Sequence, residues 1–190
     1  CKGGTSGLPS DGGIAMSLTR GSVSLVTGAS GAIGFEIAAQ AAAAGAVVAM
    51  HGSRPETVAA AMEQLVQRVP DARLIAAPAD FREEQAIAAM VGQVIATAGR
   101  LDAVVHCGIT GATGVAGPLA TADPAHMGRH AALVLGSFAQ LCHAALPHLA
   151  QQGGTIVGFA SDAGKFASPR QAVIGAAFGG IMTFVRNLAL

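Results

Sequence analysis

The chain has 190 residues, 52% of them hydrophobic, with 11 basic and 11 acidic side chains. That is enough for one domain with a sizeable core, and zero net charge without a Lys/Arg cluster argues against nucleic acid as a partner. No apolar run reaches transmembrane length, so no membrane partner is expected; the three cysteines, Cys1, Cys107 and Cys142, follow no metal or disulfide spacing, which fits a reduced, cytoplasmic protein.

Residues 1–16 are Gly/Ser-rich and aperiodic, and they lack the basic start and apolar core of a signal peptide. Met16 reads as the native start. Residues 1–16 are therefore expected to be a disordered or non-native extension, and 17–190 the folded domain. Val23 to Val26 is a short apolar run that predicts a buried strand. It breaks into the turn Gly28-Ala-Ser-Gly-Ala-Ile-Gly34, which opens an Ala-rich helix closed by Gly45. A strand feeding a tight turn and a helix N-terminus presents unpaired N–H groups and the positive end of the helix dipole. Such a place suits a pyrophosphate.

Ala46 to Met50 predicts a second strand, His51 to Arg54 its loop, and Pro55 the first turn of a helix to about Arg68. Leu74 to Ala77 is a short third strand ending at Pro78-Ala-Asp80. Apolar residues at Ala86, Ile87, Met90, Val91, Val94 and Ile95 give helical spacing within Arg82 to Ala98. Leu101 to His106 predicts the fourth strand, followed by a Gly-rich loop from Gly108 to about Thr121. Asp123 can cap a long helix to about Leu149 despite Pro147. Thr155 to Phe159 predicts the fifth strand, and about Arg170 to Leu190 a last, largely apolar helix. Strands alternating with helices imply an α/β fold, a parallel sheet covered on both faces. Ligands in such sheets bind at the carboxyl ends of the strands, which gathers the loops at Gly28–Gly34, His51–Arg54, Asp80 and His106–Gly108 on one edge.

Thr27-Gly28-Ala-Ser30-Gly31-Ala32-Ile33-Gly34 resembles the T-G-x-x-x-G-x-G turn of the short-chain dehydrogenase/reductase family, closest to its 3-oxoacyl-carrier-protein reductase-like members. Ala32 takes the place of the middle glycine, the smallest possible departure. The resemblance runs from about Leu18 to Leu190. It implies a Rossmann-like, doubly wound parallel sheet of about five strands in the order 3-2-1-4-5, with the family's C-terminal strands and lid missing. It also implies cofactor contacts from Gly28, Ser30, Gly31, Ile33, Gly34, Ser53, Arg54, Asp80, Phe81 and Gly108. Arg54 stands where NADP-preferring members place a basic residue, and no acidic residue from Met50 to Pro55 is available for a free ribose hydroxyl, so NADP is favoured over NAD. The plainer readings are a solvated loop charge for Arg54 and a turn residue or helix cap for Asp80.

The catalytic pattern departs from the family. His106-Cys107-Gly108 replaces the family's N-N-A-G, and Cys107, with no activating base in view, reads as inert and half-buried. The family's serine corresponds to Ser161. Its Y-x-x-x-K falls at Ile174 to Phe178 in Q-A-V-I-G-A-A-F-G-G-I, so Ile174 replaces the tyrosine and Phe178 the lysine, while Leu133 holds the asparagine position. The chain has no tyrosine, so no realignment restores one. His106 is the one plausible new acid–base group, with a strand-end histidine bonded to backbone as its plainer account. Lys165 and Asp162 read as loop residues. His126 and His130 stand i, i+4 without a Glu between them, and no metal site is expected.

Three expectations follow. The first is a non-catalytic, NADP-binding subunit or pseudoenzyme, forming a homo- or hetero-oligomer with an active paralogue through helices 123–149 and 170–190. The second is an active NADPH-dependent carbonyl reductase using Ser161 with His106 or water. The third is a truncated fragment without function of its own.

Overall fold

The computed structural model of the chain describes residues 20–83, 85–108, 114–151 and 153–190. The expectation for residues 1–16 and part of that for the loop after Gly108 lie outside the described residues. Five strands, β1 (Val23–Thr27), β2 (Val47–Met50), β3 (Arg73–Ala76), β4 (Ala103–His106) and β5 (Thr155–Gly158), form one parallel sheet in the order β3-β2-β1-β4-β5. This is the expected Rossmann-like order. Every residue of β1 is buried, as an apolar run at the centre of a parallel sheet must be.

Side-chain alternation along β1 divides the core in two. Val23 and Leu25 join Val104 and Leu101 beneath α3 (Ala86–Ala98) and, beyond the loop after β4, α5 (Ser137–Leu149). On the other face Val26, Val48, Met50 and Val105 lie under α1 (Ala32–Ala43) and α2 (Pro55–Arg68). Ala38, Ala39, Ala41 and Ala42 are the buried alanines of α1, and their small side chains let that helix sit close to the strands. A third apolar cluster joins Val134, Phe138 and Cys142 to Ala177, Phe178 and Ile181 of α6 (Ala172–Leu188).

The expected helix from Asp123 is continuous but not uniform. Asp123 accepts a hydrogen bond from the Ala125 N–H at 2.9 Å and caps α4 (Pro124–Ala131), which runs through one π turn at Ala132–Gly136 into α5. Within these 26 residues, Pro124–Leu149, a window of 18 reaches a mean hydropathy of 1.3, so the stretch is long and apolar enough to cross a membrane. Reading runs rather than averages misses it, because histidines and Gln140 interrupt the apolar residues. Here Phe138, Leu141, Ala145 and Leu149 of this stretch are buried against the sheet and α6.

Left-handed residues set the starts of two helices within the stretches expected for them. Gln85 has φ 63° and Arg170 has φ 61°. A left-handed non-glycine residue cannot continue a right-handed helix, so α3 starts at Ala86, the first of its apolar positions, and α6 at Ala172, close to the expected Arg170.

At the opposite end of the sheet, the Asp102 carboxylate accepts the Val23 N–H at 2.8 Å and pairs with Arg100. Burial alone would raise Asp102, yet the hydrogen bonds from Arg100 and Val23 outweigh it and hold the carboxyl below its ordinary value. Replacing Asp102→Ala strands the first N–H of the central strand in the core. Urea denaturation should show a loss of about 1–3 kcal/mol, the cost of an unsatisfied buried donor.

Candidate functional site

The carboxyl ends of β1, β2 and β4 open on a cavity of about 260 Å³. Gly28, Ser30 and Gly31 form one wall, with His51, Gly52 and Ser53 after β2 beside them. Ala79, Asp80 and Phe81 after β3 make the next side, and Cys107 with Gly108 the floor beyond β4. Leu133, Val134 and Ser137 complete the lining.

The glycines of the first turn are required by backbone contact. A methyl group on Gly34 would lie 2.3 Å from the Gly28 carbonyl oxygen, and one on Gly28, which has φ 67°, would lie 2.8 Å from the Gly108 Cα. Ala32, by contrast, is exposed, so its methyl group trespasses on nothing within the fold. No side chain caps α1, and its first turn carries no acidic residue. Its leading N–H groups are thus free for an anion. The residues present at this end fit the diphosphate of a dinucleotide.

His51 locks the turn in place. The Gly28 N–H donates to His51 Nδ1 at 3.1 Å, and His51 Nε2 lies 2.9 Å from the Ala79 carbonyl oxygen. Since an N–H only donates and a carbonyl only accepts, one tautomer satisfies both: Nδ1 bare, Nε2 protonated. Burial lowers the His51 pKa to about 4, although the Ala79 carbonyl and the Asp80 charge pull the other way. The ring stacks on Phe81 with centroids 4.2 Å apart. Sequence reasoning treated His51 only as a loop residue. Its signal was available in a histidine at the end of a buried strand, facing a Gly-rich turn. Gly52 was missed too; a methyl there would come 2.8 Å from Ser30 Oγ.

His106 is fully buried and does not line the cavity. Its Nδ1 lies 2.9 Å from Thr27 Oγ1, which also accepts the Gly108 N–H at 3.1 Å. The expected backbone bond is thus a side-chain bond, because β4 pairs with β1 so that Thr27 stands opposite His106. Burial, then the nearby His51, lowers His106 to about 4. A proton carrier working near neutrality needs the opposite. Cys107 is half-buried as expected, and burial pushes its thiol up to about 11.

The remaining expected site residues divide. Asp80 lines the cavity and also holds a turn, its carboxylate accepting from the Arg82 N–H at 3.0 Å and pairing with the Arg82 side chain. Arg54 is exposed at the start of α2, next to the lining residue Ser53. Ile33 is 59% exposed and lies outside the lining. Ser161 accepts from the Ala163 N–H at 3.3 Å, capping the short turn Asp162–Gly164; it does not line the cavity. Leu133 does, from within the π turn. Ile174 and Phe178 face the third apolar cluster instead. Among the described residues no group of three or more metal-ligating side chains converges.

The family model for short chain dehydrogenase matches residues 22–190. The chain is 34% identical over 89 residues to the 3alpha-hydroxysteroid dehydrogenase of Mediterraneibacter gnavus, a match covering 47% of this chain and 36% of that protein. It is 28% identical over 181 residues to the 12alpha-hydroxysteroid dehydrogenase of a Clostridium species, covering 92% and 68%. The first of these relatives is therefore matched over little more than a third of its length. Among solved structures, a metagenomic short-chain oxidoreductase in complex with NADP superposes with a TM-score of 0.80 and 30% identity, over 91% of this chain and 77% of that one.

Two of the three buried histidines, His51 and His106, make a prediction about pH. Each has an ordinary value of 6.5 and a folded value of about 4. Between those limits the unfolded chain takes up protons that the folded chain refuses, so stability is full above about pH 6.5 and falls as pH drops toward 4. The loss at pH 5 relative to pH 7 should be about 2 kcal/mol per histidine, read as a lower thermal midpoint, with His51→Gln removing about half the slope.

Proposed function

The chain belongs to the short-chain dehydrogenase family, and from that premise we propose that it is a non-catalytic, NADP-binding subunit or pseudoenzyme. The observation that carries this reading is the state of α6. Aligned on Ser161, Ile174 and Phe178 occupy the positions of the family's proton-donating tyrosine and its lysine, and Phe178 is 6% exposed within an apolar cluster. Neither side chain can exchange a proton with a carbonyl oxygen or hold a ribose hydroxyl. The family's cofactor would supply hydride chemistry when bound, whereas the residues of this chain hold phosphates and exclude water.

Support for binding comes from the first turn and the uncapped N-terminus of α1. Preference for NADP rests on Arg54, exposed beside the cavity wall with no acidic neighbour from Met50 to Pro55. The alternative, an active reductase with His106 as its acid, is weakened by the complete burial of that ring. Pairing with another subunit is supported by Leu146, Val185 and Leu188, which line one apolar groove and are 37%, 39% and 42% exposed.

Thermal melting of the purified chain with NADPH and with NADH tests this reading. NADPH at a hundred times its Kd should stabilise the fold by about 2.7 kcal/mol, NADH less, and Arg54→Glu should erase the difference. NADPH should not be consumed alongside carbonyl compounds. A cooperative melt that neither dinucleotide shifts would sink the cofactor role; NADPH oxidation that Ser161→Ala abolishes would make the chain an enzyme.

A further inference from the structure

His51 lines the cavity, yet its ring has no hydrogen-bonding group left for a ligand. The residue is 4% exposed. Nδ1 accepts the Gly28 N–H, Nε2 donates to the Ala79 carbonyl, and Phe81 stacks on the ring. Both nitrogens are engaged inside the fold.

What the residue governs lies one step away. The Ala29 N–H donates to the His51 carbonyl oxygen at 2.8 Å. The imidazole therefore holds the peptide plane before Gly28, and the backbone carbonyl of the same residue holds the plane after it. Two fixed planes fix the dihedral angles of the residue between them, here a glycine at φ 67°. The Gly28 carbonyl belongs to the second plane and accepts the Gly31 N–H at 2.9 Å, and Gly31 is the residue on which α1 opens. The support is anchored behind as well: the His51 N–H donates to the Val26 carbonyl at 3.0 Å, and the Ala79 N–H to the Gly52 carbonyl at 3.0 Å. Order passes from Ala79 through the imidazole to Gly28, Gly31 and the first turn of the helix. A helix N-terminus holds an anion by the aim of its N–H groups, so a turn that rotates loses affinity with every contact residue still present.

We infer that His51 is a positioning residue, which sets nucleotide affinity through the Gly28 peptide and gives no hydrogen bond to the nucleotide itself. This rests on the nucleotide-binding reading above and adds to it a residue acting at one remove. Packing alone would ask only for an apolar side chain against Phe81. Positioning asks for an acceptor toward Gly28 and a donor toward Ala79 on one rigid group.

Isothermal titration with NADPH, on the full chain and on variants that still melt cooperatively, separates the two roles. His51→Gln keeps an acceptor and a donor on one planar amide, and should bind within about threefold of the parent chain. His51→Leu keeps apolar volume against Phe81 and should bind about tenfold more weakly. His51→Gly should lose about as much, roughly tenfold. Added imidazole, which carries both groups, should restore its affinity, whereas 1-methylimidazole, which accepts but cannot donate, should not. The rescue decides the matter where the leucine variant does not fold, and the pair of substitutions decides it where the glycine variant does not. Glutamine and leucine variants that bind alike, or a rescue that does not distinguish the two imidazoles, would overturn the inference and leave nucleotide binding standing. A parent chain that binds no NADPH would overturn both.

Discussion

Gly28 gives its N–H to His51 Nδ1, and His51 Nε2 gives its own hydrogen to the Ala79 carbonyl. One imidazole thereby joins the ends of three consecutive strand–loop units. The first turn cannot shift without breaking a bond to β2, and the loop after β3 cannot shift without breaking the other. The mouth of the cavity is held by this residue twice over, because the Ala29 N–H also donates to the His51 carbonyl oxygen at 2.8 Å. Burial keeps the imidazole neutral, and neutrality is what leaves Nδ1 able to accept. The bridge and its environment therefore sustain each other.

The two ends of the site follow different physics. At the turn, backbone N–H groups and a helix dipole are exposed by the removal of side-chain volume, glycine by glycine. At α6, glycines serve another purpose: Gly175 and Gly179 let the Asp162–Gly164 turn settle onto the helix, beside the apolar cluster that holds Phe178. Small residues expose backbone in one place and bury it in the other. What differs is whether the approaching partner is a ligand or the chain itself.

Much of this was legible in the residues. The five apolar runs marked the five strands, because burial on both faces admits little else. The turn after β1 was recognisable from its glycines, and Gly108 from its place beyond β4. The errors have physical causes. Spacing records side chains and placed α3 and α6 only approximately at their starts, while the left-handed Gln85 and Arg170 record a backbone state that no composition reveals. His106 was expected on backbone and sits on Thr27, since that partner is distant in sequence and depends on strand register. The role of His51 depends on a tautomer chosen by two groups that only the fold brings together. Whether Ile174 and Phe178 would line a pocket or fill it was likewise a question of tertiary packing.

The ring contacts run on from His51 through Phe81 to His106, then to Phe138 of α5 and Phe184 of α6. Successive ring centroids lie 4.2, 6.3, 5.3 and 5.9 Å apart, so the row runs from the end of the second strand to the last helix. Stiff packed interiors transmit displacement rather than absorb it. The nucleotide mouth and the outer helix should therefore open as one cooperative unit, their amides exchanging with solvent in a single event rather than in sequence. A partner clasping α6 would then steady the phosphate turn at the far side of the molecule without touching it.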